Sequence, residues 1–192
     1  MRNKPKILIL NGSIHGAMNN CGELIKQIKK EFPEVDLLVS HLKTEKPRET
    51  KRKLAKAQAI LVISGVYWES WGHPLQIFLE RFTDLEATNY FVGKPLGAIV
   101  LCHSVGGKSV LSKILANFNL FGCLIPPFAG MELSLVAQMA LDSKKQNQHK
   151  EDIWSFNDVS LIIENIVLSI KPNIYKKWAT DNKNFRKRWI KV

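Results

Sequence analysis

The chain has 192 residues, the size of one ordinary domain, and 45% of them are apolar, enough to build a substantial core. No uncharged apolar run reaches the roughly 18 residues a membrane-spanning helix needs, and the apolar part of MRNKPKILIL stops at Asn11-Gly12-Ser13, too short for the core of a signal peptide. The net charge of +11 invites a nucleic-acid reading, but residues 171–192 carry six Lys and two Arg against the single Asp181, so the tail holds +7 and the body only +4.

From the N-terminus onward, apolar runs rich in β-formers alternate with helical patterns, the signature of βαβ units and a parallel sheet. KILIL (6–10) reads as a strand buried on both faces. After the loop NGSIHGAMNN, Cys21, Leu24, Ile25, Ile28 and Phe32 recur at helical spacing, and Pro33 closes that helix. VDLLVS (35–40) is a second strand, residues 47–57 a basic helix with Pro47 in its first turn, and AILVIS (59–64) a third strand. GVYWESWGH follows as a loop, and from Pro74 a helix places Leu75, Phe78, Leu79 and Phe82 on one face. LGAIVLC (96–102) is the fourth strand; HSVGG leads into a helix through Leu111, Ile114, Leu115 and Phe118, with Gly122 as its stop. CLIPPF (123–128) supplies a fifth strand, its prolines confined to the end or an edge. A long helix over 153–170 covers the core with Ile153, Phe156, Val159, Ile162, Ile163, Ile166 and Ile170.

Five strands with intervening helices match a known doubly wound α/β topology, with strand order 2-1-3-4-5 and helices on both faces, as one domain over residues 1–170 followed by a basic, aromatic-containing tail over 171–192. In such sheets ligands bind beyond the carboxyl ends of the strands, where the winding direction reverses. Loops 11–20, 65–73 and 103–107 meet there. The widely spaced Cys21, Cys102 and Cys123 form neither a disulfide framework nor a zinc pattern and point to a reducing, cytoplasmic setting.

The first loop enters a helix N-terminus, whose unpaired N–H groups and positive dipole end suit a phosphate. Ser13, Asn19 and Asn20 add hydroxyl and amide groups and His15 a titratable ring. The plain alternative is an ordinary turn in which Asn20 caps the helix. The second loop gathers Tyr67, Trp68 and Trp71 beside glycines and Glu69, a density of aromatics poorly explained by core packing alone. CHSVGGKS (102–109) approaches the phosphate-loop pattern G-x-x-x-x-G-K-[ST] but has Cys102 in place of the first glycine, and Lys108 reads more simply as a solvated first-turn residue.

On these residues the chain resembles the NAD(P)H-dependent FMN reductase family, flavodoxin-like flavoproteins. GSIHGAMNN after a buried strand is similar to that family's phosphate loop, with His15 where relatives often carry arginine. GVYWESWGHPL, closed by Leu79-Glu80-Arg81, resembles its flavin-ring segment, with Gly65 in place of a proline and Gln76 in place of a frequent lysine. HSVGG resembles its third, glycine-rich loop. The resemblance spans about residues 6–130. It implies a flavodoxin-like fold and an FMN whose phosphate rests on Ser13, His15, Asn19 and Asn20. The flavin ring would be bordered by Val66, Tyr67, Trp68 and Glu69 and completed by His103, Ser104, Gly106 and Gly107. It further implies NADPH or NADH as co-substrate, a small acceptor such as a flavin or quinone, and a homodimer. A flavodoxin-type electron carrier and a binding protein without redox activity are the rival readings. For the tail, contact with RNA or anionic lipid competes with simple packing of Tyr175, Trp178, Phe185 and Trp189 on the domain or a partner subunit.

Overall fold

A computed structural model describes residues 4–142 and 156–170. The tail over 171–192, and Ile153 of the closing helix, lie outside the described residues. The elements in chain order are β1 (Lys6–Asn11), α1 (Asn20–Glu31), β2 (Asp36–His41), α2 (Pro47–Lys56), β3 (Ala59–Tyr67), β4 (Ser70–Trp71), α3 (His73–Arg81), β5 (Leu96–Cys102), α4 (Gly107–Leu120), β6 (Gly130–Ser134), α5 (Leu135–Asp142) and α6 (Val159–Leu168). No helix among the described residues is long and apolar enough to cross a membrane.

The main sheet is parallel, in the order β2-β1-β3-β5-β6, with the two-residue β4 hydrogen-bonded antiparallel to β3. The expected doubly wound order is therefore present, with one short side strand added. Ile7 to Leu10 and Ile60 to Ile63 are fully buried because helices cover both faces of the sheet. Leu54 of α2, Leu75 and Phe78 of α3 and Val110, Ile114 and Phe118 of α4 pack with Leu8, Leu10, Ile60 and Val62 on one face. Leu24, Ile25 and Ile28 of α1 and Ile162, Ile163 and Ile166 of α6 pack with Ile7, Ile9, Leu61 and Ile63 on the other. The side change between α1 and α2 marks the reversal of winding, between β1 and β3, and it opens the crevice at their carboxyl ends.

The fifth parallel strand lies farther along the chain than CLIPPF. Leu124 makes a single bridge, to Pro95, and the chain then leaves the sheet. It rejoins at Ala129, whose carbonyl accepts from Ala98 N–H at 2.8 Å, and Gly130–Ser134 completes the ladder with Ala98–Cys102. Pro126 and Pro127 have no N–H to give a ladder. Phe128, at φ +53° and largely exposed, carries the chain around the detour. Gly122 does end the helix as expected, its N–H bonding Asn119 O at 2.8 Å.

An aromatic cluster ties α3, α4 and the segment before β5 together. The rings of Phe78 and Phe118 stack at 6.1 Å, and Phe91 meets both edge-on, at 6.4 and 6.3 Å. Phe118 is fully buried, so Phe118→Ala leaves a cavity at the centre of this layer. The expected loss is about 3–5 kcal/mol of stability, read from urea denaturation; a loss below ~1 kcal/mol would show that the cluster collapses around the gap.

Candidate functional site

The last residue of β1, Asn11, is completely buried, and a buried amide must find partners inside the protein. Its Oδ1 accepts from Ser13 N–H at 3.0 Å, while its Nδ2 donates to Gly16 O at 2.8 Å and faces His41 Nδ1 at 2.9 Å. One side chain thus bends residues 13–16 back over the strand end. Ser13, also fully buried, forms a second hub. Its Oγ accepts from His15 N–H at 3.1 Å and from Asn19 Nδ2, and Tyr67 Oη lies 3.2 Å away. With both lone pairs of Ser13 occupied, its proton is the group left to offer.

Asn19, not Asn20, is the N-cap: its Oδ1 accepts from Gly22 N–H at 3.1 Å, and α1 begins at Asn20. Three residues into the helix, a Cβ on Gly22 would stand 1.8 Å from Ala17 O, so the loop backbone lies directly on the helix. Capping of Gly22 leaves the N–H groups of Asn20 and Cys21 in the first turn, where no intrahelical acceptor exists, and both residues line a cleft.

The second loop is a β-hairpin. β3 continues to Tyr67, turns through Trp68 and Glu69 at φ +49° and +58°, and returns as β4 in the register Val66↔Trp71 and Tyr67↔Ser70. Two positive φ values define the turn type that matches strand twist, normally filled by Asn-Gly; an ordinary side chain in that conformation costs roughly 1–2 kcal/mol. The hairpin docks on loop one at Gly72, whose Cβ, if present, would lie 2.4 Å from Gly12 O. Tyr67 packs over Gly65 and Gly72, the hypothetical Cβ positions being 3.0 Å from its Oη and 3.2 Å from its Cε2. Trp71 Nε1 donates to Gln76 Oε1 at 3.0 Å, and Gln76 in turn donates to Glu80 at 2.9 Å.

Loop three follows β5. Gly106 precedes α4 and packs against Val66 and Glu69 of the hairpin, and Gly107 is buried against Cys102 and Glu132. His103 O accepts from Val136 N–H at 2.9 Å, tying the loop to α5. Lys108 is exposed on the first turn of α4.

These loops enclose a cleft of about 280 Å³. Of the residues singled out from sequence, His15, Asn19, Asn20, Val66, Tyr67 and His103 line it, together with Cys21, Gly65, Leu101, Cys102 and Leu135. An adjoining lobe of about 300 Å³ shares Asn20, Leu101, Cys102 and Leu135 and extends to Gln27 and Phe156. Ser13 and Gly107 sit buried behind the wall, Ser104 is exposed, and Trp68 projects fully into solvent from the hairpin tip. Glu69 and Gly106 join the hairpin to loop three rather than lining the cleft. No carboxylate lines the smaller lobe. Two larger hollows, of about 620 and 600 Å³, flank Lys4, Phe32 and Val35 at the opposite end of the sheet, away from all three loops.

Burial pushes the Cys21 thiol up to about 12, against a weaker lowering by Ser13, and burial also raises Cys102. Both thiols in the cleft wall are protonated at neutral pH, which removes them as nucleophiles. Asn11, His41, Gly22 and Gly72 were missing from the sequence-based site. A polar residue closing an apolar strand was a legible sign for Asn11; nothing local marks His41, which β-pairing brings from thirty residues away.

No protein-family model matches the chain, and no curated protein is significantly similar in sequence. Solved structures do match. RosB, determined with bound 8-demethyl-8-formylriboflavin-5'-phosphate, superposes with a TM-score of 0.67 at 12% identity, over 86% of this chain and 79% of that one. The NADH:FMN oxidoreductase EmoB, in its apo form, gives 0.61 at 13% identity, over 86% and 88%. The NADPH-quinone reductase from P. pentosaceus gives 0.55 at 13%, over 86% and 95%.

Asn19→Ala removes both the cap and a partner of Ser13, and should cost about 1 kcal/mol, whereas Asn20→Ala on the exposed first turn should cost clearly less; paired urea melts compare them. Gly72→Ala drives the hairpin off loop one, with an expected loss of ~1–3 kcal/mol and amide shift changes at Gly12 and Ser13 in NMR spectra. The parallel order, the crevice at the winding reversal and the matched structures together establish this chain as a flavodoxin-like α/β protein, with the fold found in NAD(P)H-dependent flavin and quinone reductases.

Proposed function

We propose that the chain is an FMN-dependent oxidoreductase that takes reducing equivalents from NAD(P)H and delivers them to a small acceptor such as a flavin or quinone. The observation that carries this reading is the cleft at the carboxyl ends of β1, β3 and β5, where a helix N-terminus and its capped loop stand opposite an aromatic hairpin.

The residues present suit the cofactor. A phosphate dianion needs hydrogen-bond donors and no competing carboxylates. The first turn of α1 offers the N–H groups of Asn20 and Cys21, the Asn20 amide lies beside them, and His15 flanks the same lobe, which holds no acid. Ser13 acts from behind, fixing Asn19 and His15 N–H in place. A planar ring needs flat apolar walls with a few directed polar groups, and Val66, Tyr67, Leu101 and His103 supply such walls. Trp68, uncovered by any described residue, stands ready to cover a ring or to meet a second subunit. FMN bound there would supply the two-electron chemistry. The chain itself needs no nucleophile for it, in keeping with its protonated thiols. The homodimer and a preference between NADPH and NADH belong to the same proposal.

Titration of the apoprotein with FMN and with riboflavin tests the reading. FMN should bind at least tenfold more tightly, since only it carries the phosphate; equal affinities would remove the anion socket. The yellow holoprotein should then oxidise NAD(P)H when a quinone or free flavin is added. Binding of FMN without such turnover would identify an electron carrier, and absence of binding would leave a protein that keeps the fold without the cofactor.

A further inference from the structure

The amide of Asn11 cannot be turned around. Ser13 N–H, a donor, requires the oxygen at 3.0 Å, and Gly16 O, an acceptor, requires the nitrogen at 2.8 Å. The second proton of Nδ2 is therefore directed at His41 Nδ1, 2.9 Å away, and that ring atom must present a lone pair. His41 is held in this position by backbone pairing, Asn11 standing opposite His41 in the β1–β2 register, with Leu42 N–H bonded to Asn11 O at 3.1 Å. The strands cannot slide to relieve a conflict.

We infer that His41 is a pH-sensitive positioning residue for loop one: its neutral ring, protonated only on Nε2, braces the Asn11 amide that shapes the turn, and protonation of Nδ1 withdraws the brace. An added proton sets N–H against N–H at hydrogen-bonding distance, so either the ring or the Asn11 amide must move, and the amide carries Ser13 and Gly16 with it.

The surroundings decide where this happens. Partial burial lowers the His41 pKa below its ordinary value. Glu45, just past β2, favours the charged ring, while Lys53 of α2 and Lys29 of α1 oppose it. Glu45 is itself engaged by Lys53, Ser40 and Thr50. At neutral pH the ring is uncharged and the brace intact; as pH falls through the lowered pKa the brace is lost, so loop one loosens in acid and holds through the neutral range. A histidine proton thereby governs the shape of an anion-binding turn that it does not touch.

This inference rests on the reading of loop one as the seat of the FMN phosphate, and the test separates the two. His41→Asn retains an acceptor near the Nδ1 position but cannot titrate, and His41→Leu offers none. FMN affinity of the full chain is measured by flavin fluorescence at pH 7.5 and at a pH below the His41 midpoint found in imidazole spectra. The phosphate's own titration near pH 6 acts equally on all three proteins. Wild type should lose about fivefold more affinity on acidification than His41→Asn, the worth of roughly one hydrogen bond, and His41→Leu should be weak at both values. Equal losses in wild type and His41→Asn overturn the inference.

Independently of any ligand, nitrogen-detected imidazole spectra of the apoprotein should show His41 as the Nε2–H tautomer at pH 7.5. The Ser13 amide resonance should shift in step with the ring and stay still in His41→Asn. A Nδ1–H tautomer, or a Ser13 amide indifferent to the titration, overturns the brace. If no FMN binds at any pH, the cofactor reading fails and the spectra still decide the fate of His41.

Discussion

A polar side chain sealed at the end of an apolar strand has no water to turn to, and this constraint organises the site. Asn11 follows Ile7 to Leu10, all fully buried, and is fully buried itself. Leaving its amide unmet would cost on the order of 1–3 kcal/mol per group. Its demand is met by Ser13 N–H, Gly16 O and His41 Nδ1. Satisfying one amide thus sets the path of the loop, and the loop in turn places Asn19 to cap α1. The first turn of that helix then faces the cleft with its donors in fixed positions.

Preorganisation continues across the chain. Tyr67 and Ser13 lie far apart in sequence but meet through their hydroxyls, and Gly72 lets the hairpin rest on Gly12 O. Loop three is locked to the hairpin where Gly106 meets Val66 and Glu69. The walls of the cleft are therefore braced against one another rather than hanging from separate strand ends, a preorganisation of the kind that can hold a rigid ligand in one orientation. The strain of a Trp-Glu turn with two positive φ values falls in the same place. Such strain persists where the surrounding structure over-determines it, and functional sites are where it collects.

The chemistry of the walls is equally one-sided. Thiols in the cleft are kept protonated by burial, and no carboxylate joins the smaller lobe. An arrangement of amide donors, imidazoles, one phenol and aliphatic groups can bind, orient and exclude water, and it holds neither a carboxylate nor a thiolate to act as nucleophile. A site so composed fits a bound group that brings its own reactivity.

The alternation of apolar runs with helical periodicity determined the α/β class and the positions of the three loops, because burial on both faces of a parallel sheet is written locally as unbroken Ile, Leu and Val; the order of the strands is set by pairing between distant segments. Periodicity could not see where the edge strand paired: CLIPPF has the stronger β composition, but two absent N–H groups pass the ladder to Gly130–Ser134. Nor could it show that GVYWESW is a hairpin, since Trp-Glu is not the usual occupant of such a turn, and it is Glu69 that meets Gly106 of loop three. Residue type pointed to Asn20 as the cap; the backbone geometry gives that place to Asn19. The partnership of Asn11 with His41 belongs wholly to the tertiary structure, for only the register of two paired strands brings a lone pair to an amide that already has two of its bonds fixed.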